Sequence, residues 1–355
     1  MKIKVLIVDD SLIFRSSIET ALAGEEDIAI IGSVRNGVKA IEFIKSTRPH
    51  LVTLDVEMPE MNGLETLHAI RDINRADENL PPIGVIMVSA HTQKGADTTI
   101  AALEADAFDF ITKPQTRSRE ESTEILRRQL LVKIRYFASK LISSTHPRYN
   151  ARVSPTISRP SRPISISKIK AVLIGVSTGG PKALATILPP ICEKIAAPIF
   201  IVQHMPPGFT LSLAQSLDSK CRHKAKEGRN NEPVRENHIY IAPGGSHMLL
   251  RRKGNQVNIM INEQPPENGT RPSADVLFRS APIAYGSNTV AIILTGMGND
   301  GTKGISTIKR AGGYIIAQDE ETSVVWGMPG SAVSSGYVDV ILPLNVIPDK
   351  LCTII

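Results

Sequence analysis

Aromatic side chains and long apolar runs are scarce in this 355-residue sequence. Phe, Trp and Tyr make up 4% of the residues, whereas 42% of the residues are hydrophobic. Surfaces that stack nucleic-acid bases are rich in aromatics, so we expect no nucleic-acid partner and an Ala/Ile/Val-rich α/β protein instead. No apolar stretch approaches a membrane span, and the run in MKIKVLIVDD is too short for a signal peptide. We therefore expect a cytoplasmic protein without stable membrane insertion.

Cysteine is also rare. The three cysteines, Cys192, Cys221 and Cys352, are odd in number, lie far apart in the sequence and form no CxxC pair. We therefore expect neither a disulfide framework nor a structural zinc site.

Acidic residues are missing from one long segment. Residues 125–192 contain twelve of the 41 Lys/Arg and no Asp/Glu, which leaves 29 basic and 35 acidic residues elsewhere. The net charge of +6 therefore arises in this segment and not in a whole domain. We interpret the segment as a solvated linker and helix face, the alternative being a patch for an acidic partner or a membrane surface.

Two series of short apolar runs, separated by helical patterns, predict two α/β domains. In the first series KVLIVDD, IAIIGSV, LVTLDV, IGVIMVSA and FDFITKP are apolar without clean alternation, as in parallel strands buried on both faces. Five such units predict a flavodoxin-like, five-stranded parallel sheet. The second series runs from KIKAVLIGVS to YIIAQD and predicts a doubly wound, Rossmann-like domain with a hairpin-like insertion around residues 238–262.

Between the two series lie the helix-like stretch ESTEILRRQLLVKIRYFASKLI and the Ser/Pro/Arg-rich residues 144–168. The second of these has almost no helical or strand periodicity, which is typical of a linker. We therefore predict a first domain at 1–125, a helix extension and linker at 126–168, and a second domain at 169–355.

Polar side chains follow the predicted strands of the first domain. Asp9 and Asp10 end the first strand and Asp55 ends the third, while Ser89 and Lys113 end the fourth and fifth. These strand ends share the edge of the sheet where ligands bind. Mg²⁺ would offset the repulsion among the carboxylates and could join a phosphoryl group, which Lys113 could also contact. Taken alone, Asp10 could equally be a helix cap.

The motifs KVLIVDDSLIFR, LVTLDVEMPEMNGLE, VIMVSA and FDFITKP resemble the receiver domain of two-component response regulators over about the first 125 residues. The resemblance implies phosphoryl transfer from a histidine kinase. The residues that it assigns are the phosphoacceptor Asp55, the Mg²⁺ ligands Asp9, Asp10, Asp55 and the backbone of Glu57, the switch positions Ser89 and Phe110, and the phosphoryl contact Lys113. Asp106 departs from the family, which often has glycine there, and could change a local turn.

The turn GVSTGG, residues 175–180, stands between an apolar run and the helical pattern PKALATILPPI. Its G-x-S-x-G pattern is typical of a nucleophile elbow, which would expose Ser177 at a helix N-terminus, where a developing oxyanion is stabilised. A simpler interpretation is that Ser177 or Thr178 caps the helix. A third is an anion cradle in a phosphate-binding or transferase domain.

A serine nucleophile needs a base at the same edge of the sheet. His204 follows the apolar run PIFIVQ and meets this condition, and His247 in APGGSHML is a rival. His238 precedes its strand and should lie at the opposite end, while His223, in the charged stretch CRHKAKEGR, is expected to be solvated.

The base in turn needs a carboxylate that orients it. Asp300 lies in the glycine-rich turn LTGMGNDGTKG after the run VAIIL, and Asp275 and Asp319 are rivals. The chain order Ser–His–Asp differs from the three common hydrolase orders, but geometry and not order defines a triad.

The motifs GVSTGGPKAL, QHMPPGFT, RPSADVLFRSA, ILTGMGNDGTKG and AQDEETSVVWGMP resemble the catalytic domain of the chemotaxis protein-glutamate methylesterases, over about residues 168–350. The resemblance implies hydrolysis of glutamate γ-methyl esters on chemoreceptors, without a cofactor, and deamidation of certain receptor glutamines. The residues that it assigns are the nucleophile Ser177, the general base His204, its orienter Asp300, the oxyanion-hole backbone of Met297, and Thr178 beside the nucleophile.

Joined to a receiver, such a domain is expected to be covered at its Ser177 edge until Asp55 is phosphorylated. The alternative from another class is a transcription regulator with the same receiver. Its output domain would be a short helix-turn-helix, and not about 185 residues of α/β structure.

Overall fold

The computed structural model describes residues 2–77, 79–116, 118–145 and 169–354. The chain divides into two compact units, Met1–Arg152 and Val153–Ile355. Residues 146–168, most of the predicted linker, lie outside the described residues. Within the described ranges, no helix is long and apolar enough to cross a lipid bilayer.

The first unit is a parallel sheet of five strands that alternate with helices. Its strands are β1 (Ile3–Val8), β2 (Ile28–Val34), β3 (Leu51–Asp55), β4 (Gly84–Ser89) and β5 (Asp109–Thr112). Its helices are α1 (Leu12–Leu22), α2 (Gly37–Ser46), α3 (Gly63–Ala76), α4 (Gln93–Glu104) and α5 (Arg119–Thr145). The strand order β2–β1–β3–β4–β5 confirms the predicted flavodoxin-like sheet. The order reverses between β1 and β3, which places a ligand crevice at their carboxyl ends.

Helix α5 includes the first part of the predicted helix extension after residue 125 and packs within the first unit. Its buried residues recur at helical spacing: Leu126, Leu130, Ile134, Phe137 and Leu141. The ring of Phe137 meets that of Phe108 edge to face, with centroids 5.4 Å apart. Three basic side chains of α5 form ion pairs within the unit: Arg127–Glu25, Lys133–Asp109 and Arg135–Asp27. Much of the positive charge on this helix is therefore offset locally.

The second unit is built on a seven-stranded parallel sheet with an attached hairpin. Its strands are β6 (Ala171–Val176), β7 (Ile199–Gln203), β8 (Lys224–Glu227), β9 (His238–Ile241), β10 (His247–Lys253), β11 (Gln256–Asn262), β12 (Thr289–Ile293), β13 (Tyr314–Gln318) and β14 (Val340–Leu342). Its helices are α6 (Gly180–Lys194), α7 (Phe209–Asp218), α8 (Ala274–Tyr285), α9 (Thr302–Arg310), α10 (Gly327–Ser334) and α11 (Ile347–Ile354), with a 3₁₀ turn at Leu344–Val346. The order β14–β13–β12–β6–β7–β9–β8 confirms the predicted doubly wound fold.

The predicted hairpin-like insertion is only partly correct. Strands β10 and β11 form an antiparallel hairpin in which His247 pairs with Asn262. Residues 238–241 do not belong to it, because they form β9, which pairs in parallel with β7 and β8. In the sequence, residues 238–241 and the two hairpin strands all have the pattern of short strands. Only the strand pairing in the structure shows that residues 238–241 belong to the main sheet.

His223 is buried and not solvated as predicted, with 1% of its surface exposed. It directly precedes β8, and the two-residue alternation of the extended chain turns His223 and Ala225 inward while Arg222 and Lys224 face outward. Burial and the nearby His238 lower the pKa of His223. The charged residues Arg222 and Lys224, which suggested that His223 is solvated, are thus the ones that face outward in this alternation.

Candidate active site

The candidate active site lies where three neighbouring strands of the second unit end. Strand β6 stands between β12 and β7, and the direction in which strands are added reverses at β6. Ser177 directly follows β6 and His204 directly follows β7, while Asp300 lies in the loop after β12. The His204 N–H donates to the Val176 carbonyl at 3.1 Å. The topology therefore places Ser177 on the middle strand with the other two residues on either side.

The turn after β6 has the shape of an elbow. Gly179, at φ +79°, is the N-cap of α6, so neither Ser177 nor Thr178 holds the N-cap position of the predicted alternative. The Gly180 N–H closes the turn by donating to the Ser177 carbonyl at 2.8 Å. Ser177 is partly exposed just before the start of α6. A substrate can therefore reach its hydroxyl, and the helix N-terminus favours negative charge beside it.

The loop after β12 packs against this elbow. The Ser177 N–H donates to the Thr295 carbonyl at 3.0 Å, and Thr295 Oγ1 donates to the Thr178 carbonyl at 2.9 Å. A Cβ on Gly296 would lie 2.7 Å from Ser177 Cβ, so only glycine permits this approach. Met297 is the next residue and is half-buried. The backbone N–H of Met297 therefore belongs to the peptide that directly follows Gly296, the glycine that packs against Ser177.

His204 and Asp300 form a hydrogen-bonded pair. His204 Nε2 lies 2.8 Å from Asp300 Oδ2, and their side chains are 11% and 2% exposed. Because an ionised carboxylate only accepts hydrogen bonds, Nε2 carries the proton in this pair. The lone pair of the neutral ring is then on Nδ1, the nitrogen that faces away from Asp300.

Asp300 is surrounded by hydrogen-bond donors. It accepts hydrogen bonds from His204 Nε2, Asn268 Nδ2, Ser273 Oγ, Ala274 N and Asp275 N, at 2.8, 2.9, 2.7, 2.6 and 3.2 Å. Two of these donors are the first N–H groups of α8, where the helix dipole favours negative charge. Burial opposes ionisation, but the hydrogen bonds, that from His204 foremost, outweigh it and hold the pKa of Asp300 well below its usual range. Asp300 is thus a fixed anion.

The rival residues have other hydrogen-bond partners than the His204–Asp300 pair, except Asp275. His247 Nε2 faces the Pro265 carbonyl at 3.1 Å, and His238 Nδ1 faces the Glu236 carbonyl at 2.9 Å. Asp319 accepts hydrogen bonds from Thr322. Asp275 is buried and accepts from the Gly304 N–H and from Asn268, and burial raises its pKa. Its own N–H donates to Asp300, so it belongs to the set of groups that support that carboxylate.

Four side chains that support this site were not predicted: Gln203, Asn268, Ser273 and Thr295. Ser273 is the N-cap residue of α8, and its hydroxyl donates to Asp300. Asn268 stands in an irregular loop at φ +53°, and no spacing rule connects it to Asp300. Such contacts depend on the tertiary structure alone.

The first unit gathers the predicted carboxylates at its own crevice. Asp9, Asp10 and Asp55 offer oxygen atoms that all lie within 4.8 Å of one another. Lys113 Nζ lies 2.8 Å from Asp9 Oδ2 and 3.0 Å from Asp55 Oδ2. Burial, followed by the charge of Asp9, raises the pKa of Asp55 to about 6. This oxygen-rich, mutually repelling set has the donor chemistry that Mg²⁺ prefers.

The remaining residues that the resemblance assigns lie on β4, on β5 and in the loop after β3. The N-cap of α1 is Ser11, so Asp10 does not cap the helix. Ser89 and Phe110 are buried, and the Lys113 N–H donates to the Ser89 carbonyl at 2.8 Å. Glu57 is exposed, and its side chain forms an ion pair with Lys94 at 3.2 Å.

Asp106, which departs from the family, has a backbone φ of +80°. This left-handed region favours glycine, and aspartate is among the few other residues that tolerate it. The substitution therefore preserves the turn.

Replacing Asp55 with asparagine is expected to stabilise the metal-free protein at about pH 8 and to have little effect at about pH 4. The folded state holds the Asp55 proton more tightly than the unfolded chain, because burial raises the pKa from 3.8 to about 6. Stability therefore falls as pH rises through this interval, by on the order of 3 kcal/mol at most. Denaturant unfolding of the full chain in EDTA measures the difference, with the exposed Asp97→Asn as control. Equal destabilisation at both pH values would contradict the prediction.

Both units of the chain are similar to known protein families. The family model "CheB methylesterase" matches residues 172–351, and "Response regulator receiver domain" matches residues 5–123. A protein of Trichodesmium erythraeum named protein-glutamate methylesterase/protein-glutamine glutaminase is 41% identical over 351 residues, which cover 99% of this chain and 98% of the relative. A relative of the same name from Thermotoga maritima is 40% identical over 353 residues, covering 99% and 98%.

Among solved structures, the Thermotoga maritima CheB methylesterase catalytic domain is 46% identical, with a TM-score of 0.51. The match covers 52% of this chain and 98% of that one. The resemblances that the motifs indicated are thereby confirmed. A receiver fold, a second α/β unit and full-length similarity together show that this chain belongs to the family of protein-glutamate methylesterase/protein-glutamine glutaminases.

Proposed function

We propose that this chain is a phosphorylation-activated serine hydrolase that removes methyl groups from glutamate γ-methyl esters of chemoreceptors. The observation that carries the proposal is the His204–Asp300 pair next to the Ser177 elbow at three neighbouring strand ends. The names of the full-length relatives supply the ester class, a methylated glutamate of a protein. The same names support deamidation of protein glutamines, which uses the same attack on an acyl carbon.

In the proposed reaction, Ser177 Oγ attacks the ester carbonyl while His204 Nδ1 takes the serine proton. The oxyanion that forms is stabilised by the N-terminus of α6 and by the Met297 N–H. His204 then returns the proton to the leaving methanol. Water hydrolyses the acyl-enzyme with His204 again as base, and Ser177 is regenerated. Asp300 keeps the proton on Nε2 and stabilises the imidazolium that forms in each step.

In the first unit, we propose that Asp55 accepts a phosphoryl group from a histidine kinase. Asp9, Asp10, Asp55 and the Glu57 backbone would hold Mg²⁺, which supplies positive charge against the carboxylates and the incoming phosphoryl oxygens. Lys113 already contacts both buried carboxylates and can transfer its ion pair to the phosphoryl group. Phosphorylation of Asp55 would then release the second unit from inhibition by the first.

The test is methanol release from methylated chemoreceptor membranes, with and without acetyl phosphate and Mg²⁺. We expect release in both conditions, with a clear rise when the phosphodonor is present. Asp55→Ala should lose the rise and keep the basal rate, because Asp55 belongs to the other unit from Ser177. Asp97→Ala, at an exposed position of α4, is the matched control.

The outcomes separate the alternatives. No methanol release from folded protein in either condition would contradict the esterase proposal. Release that acetyl phosphate does not change would contradict only the regulatory part. Specific, strongly salt-dependent binding to DNA would instead favour the transcription-regulator alternative.

A further inference from the structure

Gln203 joins the two loops that carry the proposed nucleophile and base. It is the last residue of β7, directly before His204, and only 1% of its surface is exposed. Its Nε2 donates to the Ser177 carbonyl at 2.9 Å and lies 3.4 Å from the His204 carbonyl. One buried amide group therefore contacts the backbone of both residues.

The Ser177 carbonyl is the point through which Gln203 can act. It accepts from Gln203 Nε2 and also from the Gly180 N–H, at 2.9 and 2.8 Å. Two donors from different elements thus fix the peptide plane that follows Ser177. Because the peptide unit is planar, holding its carbonyl also holds the ψ angle of Ser177, and with it the position of the Ser177 Cα and side chain relative to β7 and His204.

The oxygen atom of the Gln203 amide indicates that packing alone does not explain a glutamine at this position. Gln203 Oε1 is buried and accepts no hydrogen bond from the described residues, a situation that lowers stability. It also occupies the space above Gly180, where a Cβ would lie 1.9 Å from it. The other four residues of β7 are apolar and buried. An apolar side chain of the same length would avoid the unpaired oxygen but would lose the donor to Ser177.

We infer that Gln203 is a positioning residue that sets the geometry between Ser177 and His204 through its hydrogen bond to the Ser177 carbonyl. The inference rests on the proposed roles of Ser177 and His204. Gln203 itself is covered by the elbow, so it contacts neither substrate nor solvent. Its loss should therefore affect the rate of attack and not substrate binding.

The first test is Gln203→Met in the full chain, which keeps the length of the side chain and removes the N–H. We expect kcat for methanol release to fall by about tenfold to hundredfold, since small displacements of reacting groups have effects of that order. KM should stay within about twofold because the substrate surface is unchanged. Labelling of Ser177 by a fluorophosphonate should slow in parallel with kcat, and a thermal melt reports whether the variant is folded.

The second test is Gln203→Glu, which links the same contact to pH. A buried glutamic acid keeps its proton to higher pH than an exposed one. When protonated, its hydroxyl can donate to the Ser177 carbonyl, and when ionised it repels that carbonyl. The labelling rate relative to wild type should therefore rise as the pH is lowered from about 8 to about 6. The same ratio for Gln203→Met should not depend on pH.

The labelling rates of the two variants and of the wild type decide between the possible roles of Gln203. A folded Gln203→Met variant that is labelled at the wild-type rate would overturn the positioning role. If that variant does not fold, a pH-independent ratio for Gln203→Glu would overturn it instead. Absence of labelling in the wild type would count against the proposed nucleophile itself, which distinguishes failure of the proposed function from failure of this inference.

Discussion

Replacing Ser177 with alanine is expected to lower methanol release from methylated receptors by about 10³-fold or more, the scale of loss seen when a triad nucleophile is removed. The substitution deletes only the Oγ atom. The hydrogen bonds of the elbow use the Ser177 N–H and carbonyl, which alanine retains. The folded structure and its melting temperature should therefore change little.

The measurement is initial-rate methanol release together with fluorophosphonate labelling of the same samples. Ser219→Ala is the matched control, because Ser219 is exposed in the same unit and its hydroxyl donates to the Ser216 carbonyl. Turnover retained in Ser177→Ala would rule out Ser177 as the nucleophile.

Asp300→Asn should lower kcat by about 10⁴-fold, by analogy with the orienting aspartate of trypsin. All five groups around the Asp300 carboxylate are donors. The NH₂ group of asparagine must therefore face at least one of them, and whichever orientation the amide adopts, a donor is left without an acceptor. If the NH₂ faces His204, it also favours the wrong imidazole tautomer.

This prediction is tested by steady-state kinetics and by a thermal melt. We expect KM to change less than kcat, and the melting temperature to fall because buried donors lose their acceptor. Asp319→Asn is the control, since Asp319 accepts hydrogen bonds from Thr322 and not from His204. Equal rates for the two variants would remove Asp300 from the mechanism.

Much of the fold could be predicted because parallel strands buried on both faces leave continuous apolar runs in the sequence. The runs that end at Val8 and Val176 are examples, and each proved to be an interior strand of its sheet. Strand β8 was not foreseen, since KAKE is polar and lies at the edge of the sheet, where charged side chains are common. His223 was misjudged for the same reason, because its neighbours in the sequence are outward-facing charges.

The site could be predicted only in part. Strand ends identified the edge of the sheet for Ser177 and His204, and a glycine-rich turn indicated Asp300. The sequence could not decide whether the serine capped a helix, because that depends on the left-handed conformation of Gly179. Nor could it reveal that Asn268 and Ser273 converge on Asp300, since such contacts are made between loops that are brought together only by folding.

The position of β6 between β12 and β7 has a consequence for how related enzymes can be recognised. Since each of the three groups lies beyond a different strand, their order along the chain records only how the strands are connected. A circular permutant that began after α7 would present them in the same places, but in the chain order Asp300, Ser177, His204. A search for relatives by residue order would miss such a protein, whereas a search by adjacent strand ends would find it.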